Sequence, residues 1–461
     1  MDNEIGAKSN GRTAVLVVAA AGSFLMPLML SSIIVALPTI GDEFDMSASG
    51  ILWVSLSYQL STAICLVPLG KLADIYGRKR LYIIGMSIYT VASLLSAVSP
   101  VAAMLIASRV LQGVGASMML GTSTALVTEA YPPQERGRAL GITVAAVYIG
   151  LTAGPFIGGV LTQHFGWRSL FYVNIPVGLF LAIFSWKMLG ADEKKDSREP
   201  FDFTGSMVYS ASLLALMLGM SKAQTIEGCG LMAAGAFGIV LFYIMETRSP
   251  HPVLDVKIMR GNRVFVFSSL AALINYSATF ATGFVMSLYL TYVKKLEPQE
   301  VGLIIASQFV VQAVFSPIAG RLSDRIEPRI VATAGMAITA IGLAVLSQIN
   351  GDSSIPFIVA ALAVLGLGFA FFSSPNTAAV MGSVERKYYG VAAGFLGTMR
   401  ITGQMMSAGI AMFVFALVMG VTKVTPEHHE GLVPSAQTIF MILAALCFGG
   451  VFASLSRGKI R

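Results

Sequence analysis

Gly70-Lys-Leu-Ala-Asp-Ile-Tyr-Gly-Arg-Lys-Arg80 breaks a long apolar run with a short, charge-rich turn, and Gly320-Arg-Leu-Ser-Asp-Arg-Ile-Glu-Pro-Arg329 repeats the pattern 250 residues later. A turn repeated at that offset implies two related halves with an insertion between them, an arrangement found in many membrane carriers.

The sequence around the two turns suits lipid rather than water. It is 55% hydrophobic and only 12% charged, with a mean hydropathy of +0.76, whereas an ordinary soluble domain is about 25% charged. A helix needs about 20 apolar residues to cross roughly 30 Å of hydrocarbon, because lipid offers the backbone no hydrogen-bond partner. Fourteen such runs fall near residues 13–37, 50–70, 81–99, 101–128, 138–162, 168–190, 204–222, 230–247, 264–292, 299–320, 330–349, 355–378, 388–418 and 435–456. The pattern predicts an all-α membrane protein: a six-span bundle over 1–190, a linker with two inserted spans over 191–263, and a second six-span bundle over 264–461. The first run is too long for a signal peptide and is expected to be a retained helix.

Lysine and arginine set the expected orientation. With the N-terminus in the cytoplasm, 24 of the 31 basic residues lie inside, Arg109 and Arg400 lie within spans, and Arg168, Lys222, Lys294, Lys295 and Lys423 lie outside. This is the positive-inside bias of a multi-pass protein of the cell (inner, cytoplasmic) membrane with both termini cytoplasmic. The net charge of +7 is then a matter of topology and anionic headgroups, and nucleic acid is not expected as a partner.

Other chemistry is absent from the pattern. Cys65, Cys229 and Cys447 are far apart, and the adjacent His428 and His429, with Glu430, sit in a polar loop and read as solvated surface. No metal site and no cofactor is expected. The chain has no phosphate-binding loop and no nucleophile, base and orienting group at workable spacing, so it is not expected to be an enzyme. The polar segments 191–200 and 246–263 read as cytoplasmic linkers on either side of the inserted spans.

Several residues carry physical signals within the spans. In the first turn Gly70 and Gly77 permit sharp backbone and close helix approach, while Asp74 and Arg78 supply a latch of opposite charges; Gly320 and Asp324 repeat part of it. Gly150, Gly154 and Gly158 recur at i, i+4, i+8 and give one bare helix face, with Pro155 adding a kink and Gly159 following. Arg109 lies about 12 Å into span 4, deep enough to need a functional reason or a partner.

These residues, with Trp53 and Tyr58 in span 2, Arg109-Val-Leu-Gln-Gly113-Val-Gly115, Gly150-Leu-Thr-Ala-Gly154-Pro155-Phe-Ile-Gly158-Gly159, Trp167-Arg-Ser-Leu-Phe-Tyr-Val-Asn174-Ile-Pro176-Val-Gly178, Asp202-Phe-Thr-Gly205, Pro375-Asn376, and Arg400 with Gly403-Gln404, give a strong resemblance. The chain resembles the major facilitator superfamily, and within it the fourteen-span drug:proton antiporters. The resemblance covers nearly the whole length. It implies the major facilitator fold, two six-helix bundles with two additional helices between them, working by alternating access. It also implies that the glycine-proline pattern of span 5 marks export, and that the Gly70 turn holds one conformation closed on the cytoplasmic side.

The chain departs from this family where coupling is concerned. Ile75 stands where the family has a basic residue, and aligning Ala36-Leu-Pro-Thr-Ile40 with the family pattern places Met29 at its span 1 aspartate and Ile34 at its asparagine. All 24 acidic residues fall in loops, linkers or span ends. Glu129, Asp74 and Arg109 are therefore the proton-coupling candidates, with Asp324 as a further acid.

Neutral groups dominate the expected cavity: Tyr58, Gln59, Gln112, Tyr148, Asn275, Gln308, Gln312 and Asn376, together with Arg400. The sequence thus predicts a monomeric secondary transporter in the lipid bilayer that exports small amphiphilic drugs or toxic metabolites in exchange for protons. The alternatives are a dedicated exporter of one endogenous metabolite, and an uncoupled facilitator or sensor lacking the usual span 1 acid.

Overall fold

The structure, a computed structural model, describes residues 2–188, 201–222, 225–249, 252, 261–385, 389–419 and 431–458. The expected linker 191–200 and the loop carrying His428, His429 and Glu430 lie outside the described residues.

The helices are α1 (Asp2–Glu43), α2 (Ala48–Tyr76), α3 (Arg78–Ala97), α4 (Ala102–Ala130), α5 (Pro133–Phe165), α6 (Arg168–Met188), α7 (Phe203–Ser221), α8 (Ile226–Arg248), α9 (Arg263–Thr279), α10 (Ala281–Leu288), α11 (Pro298–Arg325), α12 (Pro328–Leu346), α13 (Ile355–Gly382), α14 (Tyr389–Val418) and α15 (Leu432–Leu455). Tyr289–Val293 continues α10 as a π-helical turn, so that Arg263–Val293 forms one span. Among the described residues, fourteen segments are long and apolar enough to cross a membrane, as the apolar runs predict.

Local chemistry sets where these helices begin. Ser47, Asp202, Thr225, Asn262 and Ser354 each accept a hydrogen bond from a backbone N–H in the first turn of the following helix, relieving donors that lipid cannot serve. Gly77 alone separates α2 from α3. Its φ of 109° is open to glycine and strained for other residues, which explains the second glycine of the turn.

Packing groups the helices into related sets. α1 packs on α5, α3 on α4 and α6, and α2 on α4; the later helices pair in the same way, α12 on α13 and α15, α11 on α13, and α14 on α9. The three-glycine face of α5 meets α1 within the first set. A methyl group on Gly150 would lie 2.5 Å from the Phe24 carbonyl and one on Gly158 2.6 Å from that of Ser32. The Ser32 hydroxyl then donates to the Gly154 carbonyl at 2.8 Å.

The sets meet through α5 with α11, α2 with α14, and α1 with α10. Inserted α7 packs on its partner α8 and touches both α2 and α14.

On the side of the membrane where α1 ends, Glu43 ties the first set together. Its carboxylate accepts from Trp167 Nε1 at 2.7 Å and from both Arg168 terminal nitrogens at 2.8 and 2.6 Å, while the guanidinium stacks 4.3 Å over the indole. The Trp167-Arg168 pair is thus a structural clamp joining the α5–α6 turn to the end of α1.

Candidate functional site

Arg109 is the most deeply buried cation of the first set. Its side chain is fully enclosed; Nε donates to the Val54 carbonyl of α2 at 3.1 Å and Nη1 to Gln112 Oε1 at 2.5 Å. Gln112 passes the connection on, its amide donating to Ser93 Oγ of α3 at 2.9 Å. The guanidinium lies 4.4 Å from the Tyr58 ring centroid and 6.0 Å from that of Phe171. Arg109 has no carboxylate partner among the described residues; aromatic faces, a carbonyl and an amide hold its charge, and Nη2 has no hydrogen-bond partner.

Gln112, expected to line the cavity, is committed to Arg109 and Ser93 inside the first set, because a guanidinium deep in hydrocarbon recruits the nearest acceptor.

The position aligned with the family's acid is equally informative. Met29 is buried, and Asn174 Nδ2 lies 3.0 Å from its sulfur while also donating to the Leu170 carbonyl at 2.8 Å. An amide placed where it would serve a carboxylate meets a weak thioether acceptor instead.

The second set has two polar centres. Arg400 Nη2 donates to Thr377 Oγ1 at 2.5 Å, and its guanidinium lies 5.7 Å from the Tyr276 ring, whose hydroxyl is 3.5 Å from Ser373 Oγ. The other centre was not visible in the sequence. Arg457, which the loop assignment places in the tail, is fully enclosed; it donates to Asn376 Oδ1 at 2.8 Å and to Ser268 Oγ at 3.4 Å. Its burial and the nearby Arg329 hold its pKa down at about 10.

Asn376 is likewise engaged by neighbouring elements: its Oδ1 takes Arg457 and its amide donates to the Ser268 carbonyl at 3.1 Å. Arg457→Ala should lower stability by about 2 to 3 kcal/mol, since hydrogen bonds to a charged group are lost and the Asn376 oxygen is stranded. Thermal unfolding of the full-length protein in detergent measures this.

The remaining cavity candidates hold neutral, uncommitted groups. Both side-chain amide atoms of Gln59 and of Asn275 are buried without hydrogen-bond partners. Gln308 and Gln312 are 6% exposed on adjacent turns of α11, and Tyr148 is half-buried on α5. Buried amides of this kind are normally satisfied, so Gln59 on α2 and Asn275 on α9 each call for a partner such as water.

At the Gly70 turn, Arg78 pairs with Glu129 across α3 and α4 at 3.3 Å. Glu129, a proton-coupling candidate, is thus one half of a partly exposed ion pair beside the Gly70 turn. The side chains of Asp74 and Asp324 lie outside the described residues. Gly70 lets α2 approach α4, its Cα lying 3.3 Å from where a Gly121 methyl would be, while a methyl on Gly320 would meet Ser374 Oγ at 3.0 Å.

On the Glu43 side, the two sets are joined directly. The Tyr292 hydroxyl donates to Asp42 Oδ1 at 2.7 Å and lies 3.3 Å from the Pro38 carbonyl; Gln299 N–H donates to Gln163 Oε1 at 3.2 Å. Glycines make the seam close: a methyl on Gly159 would lie 2.5 Å from the Pro298 carbonyl, and one on Gly302 would overlap the Pro155 carbonyl. Of the expected span 5 pattern, Gly159, the Pro155 carbonyl and Thr152, whose hydroxyl donates to the Phe309 carbonyl at 3.3 Å, face the other set; Gly302 and Tyr292 complete the seam.

Two similarly packed helix sets that meet along glycine seams, with unpaired neutral amides within the membrane, define a secondary transporter. The chain belongs to the Major Facilitator Superfamily, whose family model matches residues 19–271 and 268–458. It is similar to the riboflavin transporter RibZ of Clostridioides difficile (strain 630), with 29% identity over 444 residues, 96% of each chain. It is also similar to the multidrug resistance protein Stp of Mycobacterium tuberculosis (strain CDC 1551 / Oshkosh), with 31% identity over 434 residues, 92% of this chain and 79% of that one. Among solved structures, a bacterial homologue of the human lysosomal transporter Spinster shares the fold, with a TM-score of 0.69, 16% identity and 98% coverage of both chains.

Proposed function

We propose that this transporter exports small, neutral or weakly charged amphiphiles, including drugs and heteroaromatic metabolites, from the cytoplasm by alternating access. The observation that carries the reading is the set of unpaired amides on Gln59 and Asn275, which matches a ligand with several hydrogen-bonding edges and an aromatic body. Names of relatives agree with this class: one is a riboflavin transporter and another a multidrug resistance protein. The span 5 glycine-proline pattern supports the outward direction, and the basic bias of the loops supports cytoplasmic termini. With that orientation the Tyr292–Asp42 seam is external, and the structure is the externally closed state.

Proton exchange is the proposed driving force, with the Gly70 turn as the cytoplasmic latch and monomers as the working unit. A second reading, an uncoupled facilitator, is favoured by one observation: Met29 replaces the carboxylate that Asn174 is placed to serve. Purified protein in liposomes separates the two. Under an imposed pH gradient, uptake of a neutral dye should rise and collapse when the gradient is dissipated; transport indifferent to the gradient supports the facilitator. A dicationic quaternary ammonium compound should move poorly in either case, since no mid-span carboxylate offsets a buried double charge. Its robust transport would contradict the proposed substrate class.

A further inference from the structure

Pro68 lies inside α2 and has no N–H, so the Ile64 carbonyl one turn earlier loses its helical partner. Inserted α7 supplies one: Ser210 Oγ donates to Ile64 O at 3.4 Å, and the Tyr209 hydroxyl donates to Ala63 O at 3.1 Å. The two helices thus touch at Ala63–Ile64 and leave a wedge along the segment that includes Pro68. That wedge is an open groove of about 350 Å³, lined by Cys65, Pro68 and Leu69 on α2 and by Met207, Ala211 and Leu214 on α7.

We infer that this groove is a binding site for one hydrocarbon chain, an acyl chain of a phospholipid of the surrounding bilayer. All of its lining except Phe201 belongs to the membrane spans Gly50–Ala73 and Phe203–Met220, and lipid hydrocarbon is the medium that such spans meet. No charged side chain lines it. Its two hydroxyls are spent within the protein, Ser206 donating to the Asp202 carbonyl at 2.7 Å and Ser210 to Ile64, which leaves a polar ligand only the weak S–H donor of Cys65. Phe203 and Met207, each 70% exposed, form a lip that a chain would cover. The volume suits on the order of ten methylene groups, each taking roughly the space of a water molecule in the liquid. A chain seated there fills the gap between the first helix set and the inserted pair, and the inference needs only that the protein spans a membrane.

Full-length protein in vesicles of phosphatidylcholine, a fraction carrying a photoactivatable group midway along one acyl chain, tests the site. Peptides containing residues 64–69 and 207–214 should be marked about tenfold more than the exposed α8 face around Phe237 and Val240, as a held chain is present far longer than a passing one. Ala211→Trp, which fills the groove, should bring that excess down to the level of the α8 face. Native Cys65 gives a reading that needs no change in the groove: in a Cys229→Ser background, with Cys447 buried, its reaction with a membrane-permeant maleimide should slow about tenfold when lipid is returned to delipidated protein. Uniform marking of α2, α7 and α8, an Ala211→Trp protein marked like wild type, or a Cys65 rate unmoved by lipid would each overturn the inference. So would protection of Cys65 by a transported dye but not by lipid.

Discussion

Arg109→Ala is expected to lower substrate transport by about 100-fold, to near the background of empty liposomes, in a protein that still inserts and folds. The magnitude follows from its contacts. Charged hydrogen bonds are worth about 1.5 to 3 kcal/mol each, so losing those to Val54 O and Gln112 removes about 3 kcal/mol or more, which corresponds to about two decades. The cation also holds the Tyr58 ring, and with it the face of α2 adjoining Gln59. Arg109→Lys should recover little, because a single ammonium cannot donate in the planar fork that reaches both α2 and Gln112. Gln112→Leu should be milder, since the contacts to Val54 and Tyr58 survive. Transport rates in liposomes, read beside thermal unfolding of each purified variant, separate lost function from lost fold. An Arg109→Ala protein that retains a third of wild-type transport would remove this residue from the mechanism.

The second large effect is expected at a glycine. Gly302→Val should arrest the cycle without unfolding either helix set, because a side chain there overlaps the Pro155 carbonyl, and backbone cannot swing aside as a side chain would. Neither helix of the seam is needed there to hold its own set: α5 packs on α1 through Gly150, Gly154 and Gly158, and α11 packs on α13. The seam on the Glu43 side should then stay apart. A cysteine at Gln163 or Gln299, where the two sets exchange a hydrogen bond, should react with an impermeant thiol reagent markedly faster in the Gly302→Val protein than in wild type. Transport should fall about 100-fold, the consequence of a closure penalty near 3 kcal/mol. Unchanged accessibility together with normal transport would show that this seam need not close.

The number and place of the spans were legible because lipid imposes a length and a composition that a sequence displays directly. The turn between the second and third spans was legible in place but not in length: the apolar runs leave residues 71–80 outside the spans, whereas α2 runs through Gly70 to Tyr76 and Gly77 alone forms the joint. Gly302, Tyr292 and Arg457 were not legible, although each is among the most consequential residues of the structure. Gly302 has no glycine partner four residues away to betray a seam; its significance comes from Pro155, nearly 150 positions earlier. Tyr292 reads as an ordinary aromatic at a span end until the π-helical turn and Asp42 are seen together. Arg457 sits in a basic tail whose composition suggests solvent, and its acceptors come from α9 and α13 as well as from Ser454 nearby. The partners of Gln112 and Asn376 were hidden for a complementary reason: polarity in a span signals a need for a partner, but that the partner is a neighbouring arginine in both cases depends on the packing.

The thioether opposite Asn174 changes what the empty carrier must do between strokes. A carboxylate at Met29 would have to be neutralised before the first helix set closed around it, so each return would wait for a proton. Methionine imposes no such wait. In the proposed cycle the unloaded protein should reset without taking a proton at that position, and a cycle that resets freely lets substrate run in whichever direction its own concentration favours. Any tight exchange ratio must then be enforced elsewhere, at a group that blocks the empty return. In the proposed cycle the pairing of Met29 with Asn174 therefore favours slippage, the movement of substrate unaccompanied by its counter-ion, and dye flux without matching proton flux is its expected sign.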